Sequence, residues 1–215
     1  AGYAAAEWRM SQNEVDQNGG VRAGNAGGVL ELEVFRKPRV AIIPTGDEIV
    51  APCADPKPGD ILEFNSSIFS SMLSQWGAQP VVYPIIPDDH EKIKAAVSRA
   101  ADECDMVVLN AGSSAGREDF SADVIGELGQ VLYHGIAIKP GKPAILGRCG
   151  AKPVLGVPGY PVSGMIVMEE LLKPLVDIFT GASAEKKRYV DAVLTRPVVS
   201  GLKYREFVRV RIGSN

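Results

Sequence analysis

The sequence is poor in the residues that build metal clusters and covalent frameworks. Its 215 residues include three cysteines, Cys53, Cys104 and Cys149, and two histidines, His90 and His134. The cysteines lie far apart and none has a CxxC spacing. That argues against a zinc site or a disulfide framework and fits a reducing cytoplasm. Two histidines leave nothing from which to build a His-rich metal site. A basic excess is lacking as well: 23 Lys and Arg against 26 Asp and Glu give a formal net charge of -3. A duplex binder presents a basic face to phosphates, so nucleic acid is set aside as the main partner, with a local basic pocket left open. No apolar run approaches the roughly 20 residues of a membrane span. The first eight residues, AGYAAAEW, lack a charged segment followed by an apolar one, so a signal peptide is not expected. What is present is ordinary for a globular protein: 46% hydrophobic and 23% charged residues. The length suits one substantial domain, or one domain with fragments of others.

Residues 1–28 are dominated by Gly, Asn, Gln and Ala and show no helix or strand pattern; they read as a linker or the edge of another domain. From Leu30 the texture changes. Val40-Ala41-Ile42-Ile43 reads as a buried strand. Asn65 can cap a helix with Ile68, Phe69, Met72, Leu73 and Trp76 on its apolar face and Gly77 as its stop. Val81 to Ile86 reads as a second strand, and Pro87-Asp88-Asp89 as the entry to a helix striped with Ile93, Ala96, Val97 and Ala100. Met106 to Leu109 is a short apolar strand, and Phe120 to Leu128 reads as helix. Strands are expected over Val131 to Ile138, Ala144 to Leu146 and Val154 to Val157. A long apolar helix follows from about Val162 to Phe179, with Pro174 as a kink. Such alternation, with continuously apolar strands, predicts a three-layer α/β/α fold around a mostly parallel sheet. Ligands bind such sheets outside the carboxyl ends of the strands, where the Gly-, Ser- and Pro-rich loops fall. Past the basic connection Lys186-Lys187-Arg188, Val190 to Leu194 and Phe207 to Ile212 read as β segments, too few to form a sheet alone. The expected division is therefore 1–34 as a remnant or linker, 35–181 as the α/β domain and 189–215 as the start of a truncated β domain.

Four loops could carry chemistry, and each has two readings. Thr45-Gly46-Asp47-Glu48 follows a strand; its adjacent acids suit a hard divalent cation, or the loop is a solvated turn. The loop from Asn110 to Gly116, with Gly112, Ser113 and Ser114, offers backbone N–H groups and hydroxyls to an anion. It is not a P-loop, since no Gly-Lys-Ser/Thr follows, and no GxSxG elbow or His partner supports an acyl-transfer serine. Asp119, at the start of the next helix, is a cap or a metal ligand. Lys139-Pro140-Gly141-Lys142-Pro143 sets two point charges on a stiff turn, suited to phosphate or an oxyanion, or is a surface turn. Pro158-Gly159-Tyr160-Pro161-Val162-Ser163 opens the last helix, as an anion-facing end or a simple helix start.

Taken in order, these segments resemble the molybdopterin molybdotransferase family, the MoeA type that includes the gephyrin E domain. The residues that carry the resemblance are Arg36 to Ile42, Thr45 to Glu48, Asn65, Pro87-Asp88-Asp89, Gly112 with Ser114 and Gly116, Asp119-Phe120, Lys139 to Pro143, and Pro158-Gly159 with Pro161-Val162-Ser163. They cover about 35–179. Leu194-Thr195-Arg196 and Phe207 to Arg211 resemble the opening of the family's small C-terminal β domain. The resemblance implies a molybdopterin-binding α/β domain of the molybdenum cofactor pathway. It implies binding of adenylylated molybdopterin, metal-dependent release of AMP with Mg²⁺, and insertion of molybdate. It also implies a homodimer, and a molybdopterin adenylyltransferase as possible partner.

The roles that follow are these. Asp119, Asp47 and Lys142 would be catalytic, with Asp119, Asp47 and Glu48 as metal ligands. Thr45, Gly46, Asn65, Gly112, Ser113, Ser114, Gly116, Lys139, Gly141, Pro158, Gly159, Pro161 and Ser163 would bind the pterin cofactor or its phosphate. The chain departs from the family pattern at Ala111-Gly112-Ser113, Arg117, Tyr160 and Glu63-Phe64. The alternatives are therefore a non-catalytic module that binds or senses the cofactor, and a nucleotide-processing enzyme of the CinA type. Metal-dependent AMP release separates enzyme from module.

Overall fold

The computed structural model describes residues 10–11, 34–52, 55–110, 118–182, 190–201, 203–211 and 213, with the side chains of 10, 11, 118 and 119 outside the description. Six strands form the central sheet: β1 (Arg39–Pro44), β2 (Gln79–Val82), β3 (Met106–Asn110), β4 (Gln130–His134), β5 (Ile145–Cys149) and β6 (Lys152–Val157). Their spatial order is β2-β1-β3-β6-β5-β4. The pairs β1–β2, β1–β3 and β3–β6 are parallel. Only β5 runs against its neighbours, antiparallel to β6 and to β4. The expectation of a mostly parallel α/β sheet holds.

Side-chain alternation along the strands divides the interior into two cores. Val40, Ile42, Met106, Val108, Leu155 and Val157 face one way, onto α1 (Asn65–Gln75) and the long helix that follows β6. Ala41, Ile43, Val107, Leu109 and Val154 face the other way, onto α2 (His90–Glu103) and α3 (Glu118–Leu128). Period-two alternation puts consecutive residues on opposite faces, so a strand that is apolar at every position must be covered on both. Handedness then assigns the helices. The chain moves outward from β1 to β2 and back past β1 to β3, so right-handed crossovers place α1 and α2 on opposite faces. The reversal leaves a crevice between the carboxyl ends of β1 and β3, the switch point where such sheets take ligands.

Several local expectations are corrected. Asn65 does not cap α1; it is the first helical residue, after Phe64, and makes no capping bond. Glu63 takes that part through its side chain, accepting the Ser66 N–H at 2.8 Å. Asp89 caps α2 as expected, accepting from the Lys92 N–H at 3.0 Å. The second strand runs over Gln79–Val82, starting two residues early and ending four residues early, where Pro84 has no N–H to give a ladder. The stretch from Val131 to Ile138 is broken by Gly135 at φ 81°, leaving Gln130–His134 in the sheet and Ile138–Lys139 outside it. The last helix continues through Pro174. It runs as α4 (Pro161–Val167), a π-helical turn (Met168–Leu172) and α5 (Lys173–Thr180). A wider turn before a proline is one way to absorb the missing donor. Met10–Ser11 pairs with Val34–Phe35, so the opening segment holds a short strand where none was expected. Val190 to Leu194 forms no strand, nor does 207–211 of the last expected β segment; the pairing falls just before it, between Arg205–Glu206 and Ile138–Lys139.

The amino ends of the strands carry a different cluster. Asp105, 5% exposed, accepts both Arg36 guanidinium nitrogens, at 2.7 and 2.5 Å, and the Arg39 N–H at 2.8 Å. Lys152 lies 3.6 Å away. The hydrogen-bonded Arg36 holds the Asp105 carboxyl down at about 2.

Candidate functional site

The switch point is built from three polar residues and one glycine carbonyl, brought in by four different segments. Thr45, just past β1, donates its N–H to the Asn110 carbonyl at 3.0 Å and its hydroxyl to the same oxygen at 3.2 Å. Asn110 ends β3 and is buried. Asn65 reaches across from α1: its Nδ2 donates to the Gly159 carbonyl at 2.8 Å and approaches Asn110 Oδ1 at 3.4 Å. Gly159 lies between β6 and α4. Asn65 is 5% exposed, and its Oδ1 finds no hydrogen-bond partner among the described residues. A buried acceptor left unpaired costs about 1–3 kcal/mol, so such an atom marks a place where a donor is expected.

Thr45, Asn65 and Gly159 were thus expected at the site and are brought together. Asn110 was passed over as a loop start. Its signal was a polar residue closing an otherwise apolar strand. Gly46 holds φ 146°, where a Cβ would meet Ile49 Cγ1 at 2.6 Å. Asp47, next along, is exposed and Glu48 half-buried. Asp47 Oδ1 accepts the Asp88 N–H at 3.0 Å, and Asp88 Oδ2 accepts the Asp47 N–H at 3.1 Å. Asp88, read from sequence as an ordinary helix entry, is therefore the acid that stands beside Asp47. Among the described residues no group of three or more His, Cys, Asp and Glu is placed to hold a metal ion. The Asp119 side chain and the loop carrying Gly112, Ser113, Ser114 and Gly116 lie outside the described residues.

Pro158 and Ser163 are partly buried around the start of α4, with Pro161 in its first turn. The lysine loop stands apart from Asn65 but packs on the same helix. Lys139–Pro140 is a cis peptide, and Gly141 adopts φ 111° where a Cβ would meet Ile138 and Val167. Lys139 Nζ lies 3.6 Å from Glu206, and Lys142 Nζ lies 5.9 Å from the Tyr204 ring centroid. The seven residues of α4, Pro161–Val167, rise about 9 Å from the Gly159 end to Val167, against which Gly141 sits.

A doubly wound sheet with polar loops gathered at its switch point defines a small-molecule binding domain. Comparison with known proteins makes that specific. A family model described as "Probable molybdopterin binding domain" matches residues 41–177, and the chain belongs to that family. It is 31% identical over 183 residues to the molybdopterin molybdenumtransferase of Haemophilus influenzae, covering 85% of this chain and 45% of that protein. It is 30% identical over 188 residues to molybdopterin molybdenumtransferase 2 of Mycobacterium tuberculosis, covering 85% and 46%. Its structure is similar to that of the molybdopterin biosynthesis MoeA protein of Pyrococcus horikosii, with a TM-score of 0.69 and 40% identity over 75% of this chain and 40% of that one. The chain spans about half the length of the curated relatives it matches. Among the described residues no helix is long and apolar enough to cross a membrane.

Proposed function

We propose that the chain binds molybdopterin across the carboxyl ends of β1, β3 and β6, and serves molybdate insertion in molybdenum cofactor assembly. The observation that carries this reading is Asn65: a buried amide pinned to Gly159 at the switch point, with an acceptor that no described residue satisfies and that a ligand donor would. Donor-rich heterocycles such as pterins offer N–H groups of that kind. The names of the relatives support the same ligand. The lysine loop, 139–142, would take the phosphoryl group or the molybdate substrate, and the loop of Gly112, Ser113, Ser114 and Gly116 would cradle phosphate.

Asp47, Glu48 and Asp119 offer the oxygen donors that Mg²⁺ takes, and Asp88 now joins them. A bound Mg²⁺ would supply polarisation of the phosphoryl oxygen. The chain's own contribution is to orient the pterin through Asn65 and to meet growing negative charge with Lys142. The working protein in this reading is a cytoplasmic homodimer of at least 35–181 with flanking domains, fed by a molybdopterin adenylyltransferase. The test is binding of adenylylated molybdopterin with Mg²⁺ by wild type, Asn65→Leu, Asp119→Ala and Lys142→Ala. Affinity is expected to fall at least about tenfold in Asn65→Leu, the scale of one buried hydrogen bond to a ligand. AMP appearing in the same tube identifies the enzyme; pterin bound without AMP identifies a binding module. A folded wild type that binds no pterin overturns the reading.

A further inference from the structure

The segment after the α/β domain returns to the lysine loop and holds it with an acid. Arg205 and Glu206 pair in parallel with Ile138 and Lys139. The Arg205 N–H donates to the Ala137 carbonyl and the Phe207 N–H to the Lys139 carbonyl, both at 2.8 Å. Arg205 also reaches Glu170, in the π-helical turn, at 3.0 Å. Glu206 is fixed further by the Gly201 N–H, which donates to its Oε1 at 3.2 Å. Its side chain is 13% exposed, while that of Lys139 is 69% exposed. The carboxylate is thus the held partner and the ammonium the free-swinging one. Beside them opens a cavity of about 700 Å³, lined by Lys139, Pro140, Glu206, Phe207, Arg209 and Arg211 among others.

We infer that Glu206 is the resident counter-ion of Lys139, and that it sets how tightly the lysine loop takes an anion. The inference rests on the proposed reading of that loop as an oxyanion site. Three cations around one cavity attract an anion. A fixed carboxylate 3.6 Å from one of them repels the same anion and competes for the same ammonium. An exposed pair of this kind shifts an equilibrium by about two- to fivefold, so the effect is a tuning of affinity rather than an on–off switch. The incoming anion takes Lys139 over from Glu206. Glu206 keeps its bond to Gly201 and stays with the strand. Glu206 is a positioning residue, acting through Lys139.

The experiment is calorimetric titration of the 215-residue chain with molybdate at low ionic strength, for wild type, Glu206→Gln, Lys139→Ala and the double variant. Glutamine keeps an acceptor for the Gly201 N–H, so the strand is expected to stay paired. Glu206→Gln is expected to bind molybdate about threefold more tightly, and the gain is expected to vanish when Lys139 is alanine. A purely structural Glu206 would weaken binding instead, and equal or weaker binding by Glu206→Gln overturns the inference. If wild type takes no molybdate, the oxyanion reading falls, and the ion pair is read separately by acetic anhydride labelling. Lys139 is then expected to label about twofold faster in Glu206→Gln, with Lys152 unchanged; an unchanged Lys139 rate overturns the pair itself. Should Glu206→Gln fail to fold, Glu206→Asp draws the charge back by one methylene and is expected to shift both readouts in the same direction.

Discussion

Two buried polar residues do the work that the apolar pattern cannot. Asn65 gives up a cap to make tertiary bonds, which explains why local sequence rules misread it: a helix-start Asn is ordinarily a cap, and only the fold brings Gly159 and Asn110 within reach. Asp105 was not singled out from the sequence at all. It lies at the opposite end of the sheet from the site and ties Arg36, the Arg39 backbone and Lys152 to the foot of β3. Its carboxyl titrates at about 2 in the folded chain against an ordinary 3.8. A depressed folded value means that the stabilisation is fully present above the unfolded value and is lost as the pH falls from about 4 toward 2. The size is on the order of 1–2 kcal/mol, discounted because Arg36 is solvent-exposed. Urea unfolding between pH 5 and 2 checks this. Asp105→Asn is expected to flatten the pH dependence in that window, and a variant as acid-sensitive as wild type would assign the acid loss to other carboxylates.

Among the elements, those with a strong apolar period were legible and those defined by contacts were not. β1, β3 and α3 fall within two residues of expectation because burial on known faces fixes them. The edges were misread where backbone chemistry overrode hydropathy, as at Pro84, at Gly135 and in the π-helical turn before Pro174. The lysine loop is the sharpest case. Its sequence shows charge and stiffness, while its shape depends on Gly141, whose φ of 111° and tight seat against Ile138 and Val167 appear only in three dimensions. A Cβ there would lie 2.9 Å from both neighbours. Gly141→Ala is therefore expected to lose about 2–3 kcal/mol, from a left-handed conformation and overpacking together. The unfolding midpoint measures the loss. A loss below about 0.5 kcal/mol, the ordinary surface range, would mean that the loop rebuilds around the alanine.

The whole molecule divides unevenly between a packed body and an appended segment. Both cores draw every buried member from between Val40 and Val176, and Thr180 closes the last helix by bonding back to Val176. Beyond it, Val190, Val193 and Val199 are 76%, 95% and 92% exposed and contribute nothing to either core. That contrast was half legible: the sequence showed β-like segments too few to stand alone, but not that Arg205–Glu206, just before the second of them, would return to the lysine loop. Among the described contacts, removing everything after Ala182 takes away one two-residue strand pairing, the Arg205–Glu170 and Lys139–Glu206 bridges and the Lys142–Tyr204 contact, together worth about 1–2 kcal/mol. For a body of this size that is a fall of about 2–8 °C in the unfolding midpoint, with one cooperative transition retained. Calorimetry of the 1–182 chain beside the full chain decides it. A sharp transition a few degrees lower would show that the α/β body folds without the appended strand. Loss of the transition would mean that the strand is part of the folding unit, and that the lysine loop's partner helps to build the domain it touches.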